Sequence, residues 1–368
     1  AYAKCVNAWI EQVNKGALGR GAPEFFLFPA EIAYWTPADS IALMKLFAAQ
    51  STDQLQTEVL RARLSMLGQN WLRDLMPDMP GQGVMALPGY ASLFPTVPKQ
   101  VKEADAEGAL SPFPPREQAA ASNAYAAAPG RSAAGGSLIA NDPHMAFSAP
   151  SMWYLARLEL SSGGVIGATI PGIPAILTGR NANLGWGITS AYADDQDLHV
   201  EELDPQNPEQ YRIPDGFKPF ETRKVIMSVK DAAPITLTLR WTDNGPVLPT
   251  GHFNLASVTP PGDVMSLSWT ALDPADTTLS AALALMKAQS VDEAVSVSEG
   301  FIAPAENLIL ADEKTVGMIT IGALPRRDPN NVTRGRMPAP GWVAENRWQG
   351  RLPFADNPRV LNPPGSGV

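Results

Sequence analysis

Ser122, in the run Ala121-Ser122-Asn123-Ala124-Tyr125, and the run Asn141-Asp142-Pro143-His144, which follows a Gly-rich turn and a short apolar stretch, combine residue types that can do chemistry. A serine hydroxyl is a weak nucleophile and needs a base within hydrogen-bond reach. The histidines His144, His199 and His252 could feed a Ser-His-Asp triad, but the chain contains no Gly-x-Ser-x-Gly elbow, so that route falls back. Asp194, Gln196 and Asp197, in Asp194-Asp195-Gln196-Asp197, offer carboxylate and carbonyl oxygens of the kind that suits a hard cation such as Ca²⁺, although a solvated acidic turn has the same composition. Asn307, after Pro304-Ala305-Glu306, carries an amide that could donate to a developing anion or simply bond nearby backbone.

The rest of the composition narrows the function classes. A chain of 368 residues with 45% hydrophobic content can bury a substantial core and has room for two structural parts. With Pro 35 and Gly 30, many turns and short strands are expected rather than a helical bundle. A net charge of −9 argues against a general nucleic-acid partner and favours a small molecule. Cys5 is the single cysteine, which excludes an intrachain disulfide and a cysteine metal cluster. No His-Glu-x-x-His, no Walker loop and no apolar run of membrane-spanning length occurs, so neither membrane insertion nor an organic cofactor is expected. No signal peptide is recognisable, and the chain opens at Ala1 inside a helical pattern, as though a preceding segment had been removed.

The elements that must position these residues change character near residue 100. Before it, helical spacing dominates: Ala3 to Val13, Asp39 to Ala49 after Pro37, and a long stretch from Thr52 to Met76 with Leu55, Val59, Leu60, Leu64, Met66, Leu67, Trp71, Leu72 and Leu75. Residues 101–121, acidic and then Pro-rich, read as a solvated connector. From Ser122 onward the pattern predicts strands at Ser137–Ala140, Met152–Leu160, Gly164–Ile170, Asn183–Thr189, Thr222–Val229 and Ile235–Trp241. Helices are expected at Leu279–Lys287 and Val291–Glu299, then strands near Asn307–Leu310 and Gly317–Ile321. Sheets with helices grouped outside them make an α+β class.

In order along the chain, Asn7-Ala8-Trp9, Trp35-Thr36-Pro37-Ala38-Asp39, Ser122-Asn123, Asn141-Asp142-Pro143-His144, Pro171-Gly172, Gly185-Trp186-Gly187, Asp194-Asp195-Gln196-Asp197, Asn244-Gly245-Pro246-Val247 and Pro304-Ala305-Glu306-Asn307 with Ala311-Asp312 form a specific series. The series resembles the penicillin acylase (penicillin amidase) family of N-terminal-nucleophile hydrolases, which includes acyl-homoserine lactone acylases. The resemblance implies an αββα four-layer sandwich, with residues 1–100 as the helical part of an α-subunit, 101–121 as a spacer and 122–368 as the start of the β-subunit. It also implies self-cleavage between Ala121 and Ser122: the hydroxyl attacks the Ala121 carbonyl, an N-to-O acyl shift gives an ester, and water hydrolyses it. Ser122 then carries its own base, an α-amine of unperturbed pKa about 7.7–8.0.

By the same resemblance, the backbone N–H of Ser190 and the side-chain amide of Asn307 would bind the oxyanion, His144 would support the amine, and Arg327 would orient Asn307. Met145, Leu177 and Thr178 would line an acyl pocket whose lack of paired aromatic rings slightly favours an aliphatic chain. Glu58 would join Asp194, Gln196 and Asp197 around a structural Ca²⁺. The expected partners are a small N-acyl substrate and the two fragments of the precursor itself, and the expected location is the periplasm or outside the cell. Two features depart from the family pattern: Ala121 stands where many members have Gly, and Tyr125 where Trp is frequent. Family precursors also extend past both ends of this chain, so it reads as truncated. The rival expectations are an inactive fragment or uncleaved precursor that acts by binding, and an ordinary serine hydrolase using His199 or His252.

Overall fold

The computed structural model describes residues 1–16, 19, 21–22, 25, 32–76, 87–98, 122–144, 149–365 and 367–368. The expected spacer 101–121, with the junction residue Ala121, and the pocket residue Met145 lie outside them. The N-terminal part is helical, as its periodicity predicts. Helix α1 (Tyr2–Asn14) is tied to the next entry segment by Asn7, whose amide accepts from Trp35 N–H at 2.7 Å and donates to Trp35 C=O at 2.9 Å. Helix α2 (Pro37–Ser51) starts at a capping box in which Asp39 accepts from the Thr36 N–H at 2.6 Å, with Pro37 in the first turn.

The long helix expected from Thr52 to Met76 is two helices, α3 (Gln54–Leu67) and α4 (Gln69–Leu75). Gly68 separates them with φ +132°, a backbone state outside the helical region. Their buried stripe is narrower than the apolar run suggested: Leu55, Val59, Leu64 and Leu72 are buried, whereas Leu60, Leu67, Trp71 and Leu75 are exposed. The short helix α5 (Tyr90–Leu93) closes the group, with the Tyr90 hydroxyl donating to Val258 C=O at 2.6 Å.

From Ser122 the chain is mostly β. Strands β1 (Ser122–Ala127) and β2 (Leu138–Pro143) pair as an antiparallel hairpin. They are followed by β3 (Tyr154–Leu160), β4 (Gly163–Thr169), β5 (Thr178–Arg180), β6 (Gly185–Ser190) and β7 (Gln196–Glu201). Three short strands form a small sheet of their own: β8 (Leu203–Asp204), β9 (Asn207–Ile213) and β10 (Gly216–Pro219). Next come β11 (Glu221–Met227), β12 (Ile235–Thr242), β13 (Gly245–Leu248) and β14 (Val264–Trp269). Helices α6 (Thr278–Leu285) and α7 (Val291–Ser298) lead to β15 (Glu306–Ala311) and β16 (Val316–Ile321). The chain finishes with β17 (Pro325–Arg327), β18 (Ala339–Pro340), β19 (Trp348–Arg351) and β20 (Arg359–Leu361).

Two larger sheets organise these strands. One runs β20-β16-β15-β6-β5-β4-β3, the other β11-β12-β13-β14-β7-β18. The first packs one face on α2, α6 and α7, burying Trp186, Leu308, Leu310 and Ile319 with Met44, Phe47, Leu285 and Val291. The second packs Leu198, Val200, Met265 and Leu267 on Leu55, Val59 and Leu72. Each core is thus a helix layer on a sheet, which makes the chain α+β. Among the described residues no helix is long and apolar enough to cross a membrane.

The opposite face of the first sheet carries the β1–β2 hairpin, with Ala126 and Ile139 against Ile309, Ala311 and Val316. Gly185 and Gly187 make that close approach feasible. A Cβ on Gly185 would stand 2.9 Å from the Ile139 side chain, and one on Gly187 would stand 2.9 Å from Asn141 Cβ. Trp186, between them, points to the other face and fills the helix-side core, so the Gly-Trp-Gly run reads directly as a strand that is thin on one side and thick on the other. Replacing Gly187 by Ala should therefore lower unfolding stability by about 1–3 kcal/mol through overpacking. Gly130→Ala, whose Cβ would meet nothing within 4 Å, is the control that should leave it unchanged in the same denaturant titration.

Candidate active site

Ser122 opens β1 opposite Pro143, and His144 follows at the end of β2. Ser122, Ala124 and Ala126 share one face of the strand, and Ala124 and Ala126 pack toward the first sheet while Asn123 and Tyr125 are exposed. The hairpin advances along β6: Ile139 lies on Gly185 and Asn141 on Gly187. That advance carries Pro143 and its partner Ser122 toward the Ser190 end of β6, where Thr189 has Asn307 as its ladder partner on β15. Asn307 shares its face with Ile309 and Ala311, the face that the hairpin covers. Ser122 and Asn307 thus both stand toward the Ser190 end of β6.

The placement of Ser190 follows from hydrogen-bond alternation. Ala191 N–H donates to Ala305 C=O at 3.2 Å, so Ser190, opposite Glu306, is a non-bonded pair whose N–H points away from β15. Its own side chain lies on the helix side, with Trp186 and Ile188. On the edge to which Ser190 N–H points, the β5–β6 pairing stops at Gly179 opposite Trp186, and a side chain continues the ladder in its place. Asn141 Oδ1 accepts from Ile188 N–H at 3.2 Å and its Nδ2 donates to Ile188 C=O at 3.0 Å. The same amide donates to Asn123 C=O at 2.9 Å and accepts from the Thr178 hydroxyl at 2.7 Å. All four hydrogen-bonding positions of one side chain are thus used, two on the strand of Ser190, one on the serine strand and one on Thr178 of β5.

Several expected residues do other work. Thr178, expected in an acyl pocket, directs its hydroxyl to Asn141, and Leu177 is buried in the helix-side core. His144 is exposed, with Nε2 2.7 Å from Asp142 Oδ2. Arg327 is not the partner of the Asn307 side chain. Its Nε lies 3.0 Å from both Asp197 oxygens and its Nη2 donates to Asp197 at 2.5 Å and to Asp194 C=O at 3.1 Å, because the buried Asp197 carboxylate is the stronger attractor. Asn307 Oδ1 instead accepts from the Thr320 hydroxyl at 3.0 Å. Thr320 escaped the sequence reading, although pairing outward from the Asp312–Thr315 turn puts it opposite Asn307.

The acidic run is not a solvated turn. Gln196 and Asp197 begin β7, a strand buried on both faces, with Leu198 and Val200 toward the helices and Asp197, His199 and Glu201 on the other side. Glu58 from α3 is fully buried and accepts from Leu198 N–H at 3.2 and 3.3 Å. Burial, then the nearby Asp197 and Asp194, push the Glu58 carboxyl well above the usual range. Burial raises Asp194 to about 7 against the pull of Arg327, and Asp195 to about 6. Burial alone would weaken the Arg327 charge, but its bonds to Asp197 hold the guanidinium protonated. Asp197 also accepts from Trp348 Nε1 at 2.7 Å, and Gln196 Oε1 from Leu55 N–H at 3.0 Å.

Among the described residues no three acidic, histidine or cysteine side chains converge tightly enough to form a cation cage by themselves. One Asp194 oxygen is nonetheless buried without a hydrogen-bond partner, 3.1 Å from Arg327 Nη2. Together with the main-chain carbonyls of this segment, that oxygen and Glu58 have the donor chemistry a Ca²⁺ ion takes.

His199 is partnered by Ser268 of β14 and not by Ser122. It is fully buried, burial lowers its pKa, and its Nε2 meets the Ser268 hydroxyl at 3.0 Å while that hydroxyl donates to Asn244 C=O at 2.7 Å. The serine proton is thus directed away from the imidazole.

The sequence model of the family described as penicillin amidase matches residues 1–368. The chain belongs to the penicillin amidase family. It is 29% identical over 346 residues to an acyl-homoserine lactone acylase, QuiP, of Pseudomonas aeruginosa, a match covering 90% of this chain and 39% of the relative. It is 27% identical to penicillin acylase 2 proenzyme of a Pseudomonas species, covering 99% of this chain and 46% of that one. The solved structure of a thermostable penicillin G acylase from Alcaligenes faecalis superposes with TM-score 0.60 at 25% identity, over 67% of this chain and 43% of that chain. The chain thus spans less than half the length of these family members.

Glu306, beside Asn307, is buried on the helix side, and burial raises its carboxyl to about 8 from an ordinary 4.5. The folded protein therefore holds a proton that the unfolded chain releases, and this group's contribution to stability falls as pH rises from about 4.5 through about 8. Glu306→Gln should flatten that part of the curve of unfolding free energy against pH. A variant whose curve keeps the wild-type slope would show that Glu306 does not carry this proton.

Proposed function

We propose that this chain is the catalytic region of an N-terminal serine amidohydrolase that hydrolyses the amide bond of a small N-acyl compound through an acyl-Ser122 ester. The observation that carries the proposal is the Asn141 amide, which fastens the Ser122 strand to the edge of β6 from which Ser190 N–H projects, with Asn307 on the same face. In this reading the Ala121–Ser122 bond is cut by attack of the Ser122 hydroxyl on the Ala121 carbonyl, and the freed α-amine becomes the base. The hydroxyl then attacks the substrate carbonyl, passing its proton to the amine. Ser190 N–H and Asn307 Nδ2 stabilise the oxyanion, and the amine returns the proton to the leaving nitrogen. Water activated by the same amine hydrolyses the ester.

Relatives named for acyl-homoserine lactones and penicillin direct the substrate proposal to N-acyl-homoserine lactones or β-lactam amides. Glu58, Asp194, the main chain at Gln196 and Asp197 would hold a structural Ca²⁺, which would neutralise carboxylates that burial otherwise protonates. The two helix-on-sheet layers would stack as an αββα sandwich, the two cleavage fragments would stay associated, and the enzyme would act in the periplasm or outside the cell.

Intact-mass spectrometry of the wild type and Ser122→Ala, each expressed from the natural gene, tests this reading. Two fragments from the wild type, one starting at Ser122, and one uncut chain from the variant are expected. Uncut chains from both would remove the free amine and leave a binding role. In the processed enzyme, Asn307→Ala should reduce kcat by about 10²–10³-fold. Ser190→Ala should keep it, since only the backbone N–H of that residue is used.

A further inference from the structure

Thr320 stands opposite Asn307 in the β15–β16 ladder, and its hydroxyl donates to Asn307 Oδ1 at 3.0 Å. We propose that Thr320 is a positioning residue for the reaction, holding the Asn307 amide in the one orientation that presents Nδ2 rather than Oδ1 to the oxyanion. The inference rests on the reading of Asn307 as an oxyanion donor and adds what sets its direction.

A side-chain amide has two nearly isosteric ends of opposite polarity. Turned one way, Asn307 offers an N–H to the developing negative charge; turned the other way, it offers a carbonyl oxygen that repels it. Contacts of shape alone discriminate poorly between the two. A hydroxyl on the β16 side that donates to Oδ1 turns Nδ2 away from β16, toward the space shared with β6 and the Ser122 end of the hairpin.

Thr320 is itself held in place. Its N–H donates to Pro358 C=O at 2.8 Å, and its C=O accepts from Asn357 Nδ2 at 2.9 Å. The same buried Asn357 amide donates to Gly322 C=O at 3.0 Å. Gly322, at φ +108°, lets β16 end directly on the chain that enters β15: a Cβ there would lie 2.7 Å from Ala305 Cα. The hydroxyl is therefore set on backbone fixed relative to Asn307, which is what orienting a donor to within a few tenths of an ångström requires.

The test uses processed enzyme and an N-acyl para-nitroanilide whose acyl chain is chosen by screening. Thr320→Val keeps the side-chain shape and removes the hydroxyl; Thr320→Ser keeps the hydroxyl. The Val variant should lose about 10–100-fold in kcat, a partial loss of one oxyanion donor, with KM within about twofold, and the Ser variant should recover most of it. In the Asn307→Ala background, Thr320→Val should cause no further loss, because there is no amide left to orient. Thr320→Ala, which relieves any crowding of the Val methyl, should match Val if the hydroxyl is what matters. A large effect of Asn307→Ala with an unchanged kcat for both Thr320→Val and Thr320→Ala would overturn the proposal alone, as would losses at the two sites that simply multiply. If Asn307→Ala itself leaves kcat unchanged, the oxyanion reading falls and this one with it.

Discussion

One amide side chain governs the geometry on which the rest of the site depends. Asn141 fills a gap in the first sheet, where β5 ends short of Ile188, and supplies from a side chain the donor and acceptor that the missing strand residue would have offered. An unpaired N–H and C=O at such a place would each cost free energy on the order of a lost hydrogen bond. The amide removes both deficits and uses its other donor and acceptor positions to hold Asn123 and Thr178. The serine strand is thereby fixed in register with the strand of Ser190. The bare α-carbons of Gly185 and Gly187 are the steric counterpart of that bond, since a side chain at either position would press on Ile139 or Asn141 of the hairpin.

Below the second sheet the constraint is electrostatic. Glu58, Asp194, Asp195 and Asp197 gather around Arg327, and burial disfavours the charged form of Glu58, Asp194 and Asp195 even against the pull of that partner. Asp197 has two such partners, in Arg327 and Trp348, and serves as the anchor. Because Glu58 comes from α3 and the other groups from the chain after Ser122, the cluster joins the helical N-terminal part to the β-rich part. These residues are separate from Asn141 and the two glycines that hold the hairpin.

Much of this was legible in the sequence, for identifiable reasons. The capped start of α2 and the paired periodicities of β3–β4, β11–β12 and β15–β16 follow local rules of capping and alternation, and their bounds agree with expectation to within a few residues. Strand β7 is not legible as a strand, because its polar residues are as buried as its apolar ones. Alternation of Leu198 and Val200 with charged neighbours normally marks one solvated face, and here no face is solvated. The single helix expected across Gly68 failed on one backbone angle that apolar spacing does not report.

The sequence by itself determined the family, the α+β class and the identity of the residues with chemical potential, because these depend on residue type and order. Which partner each side chain takes was decided only by tertiary structure. Arg327 was expected beside Asn307 and pairs with Asp197; Thr178 was expected to face a ligand and holds Asn141; Thr320, unremarked in the linear chain, sets the amide of Asn307. A hydrogen bond requires convergence within about 3 Å and correct direction. Convergence between residues over a hundred positions apart, as for Arg327 and Asp197, is a property of how the sheets stack and not of spacing along the chain.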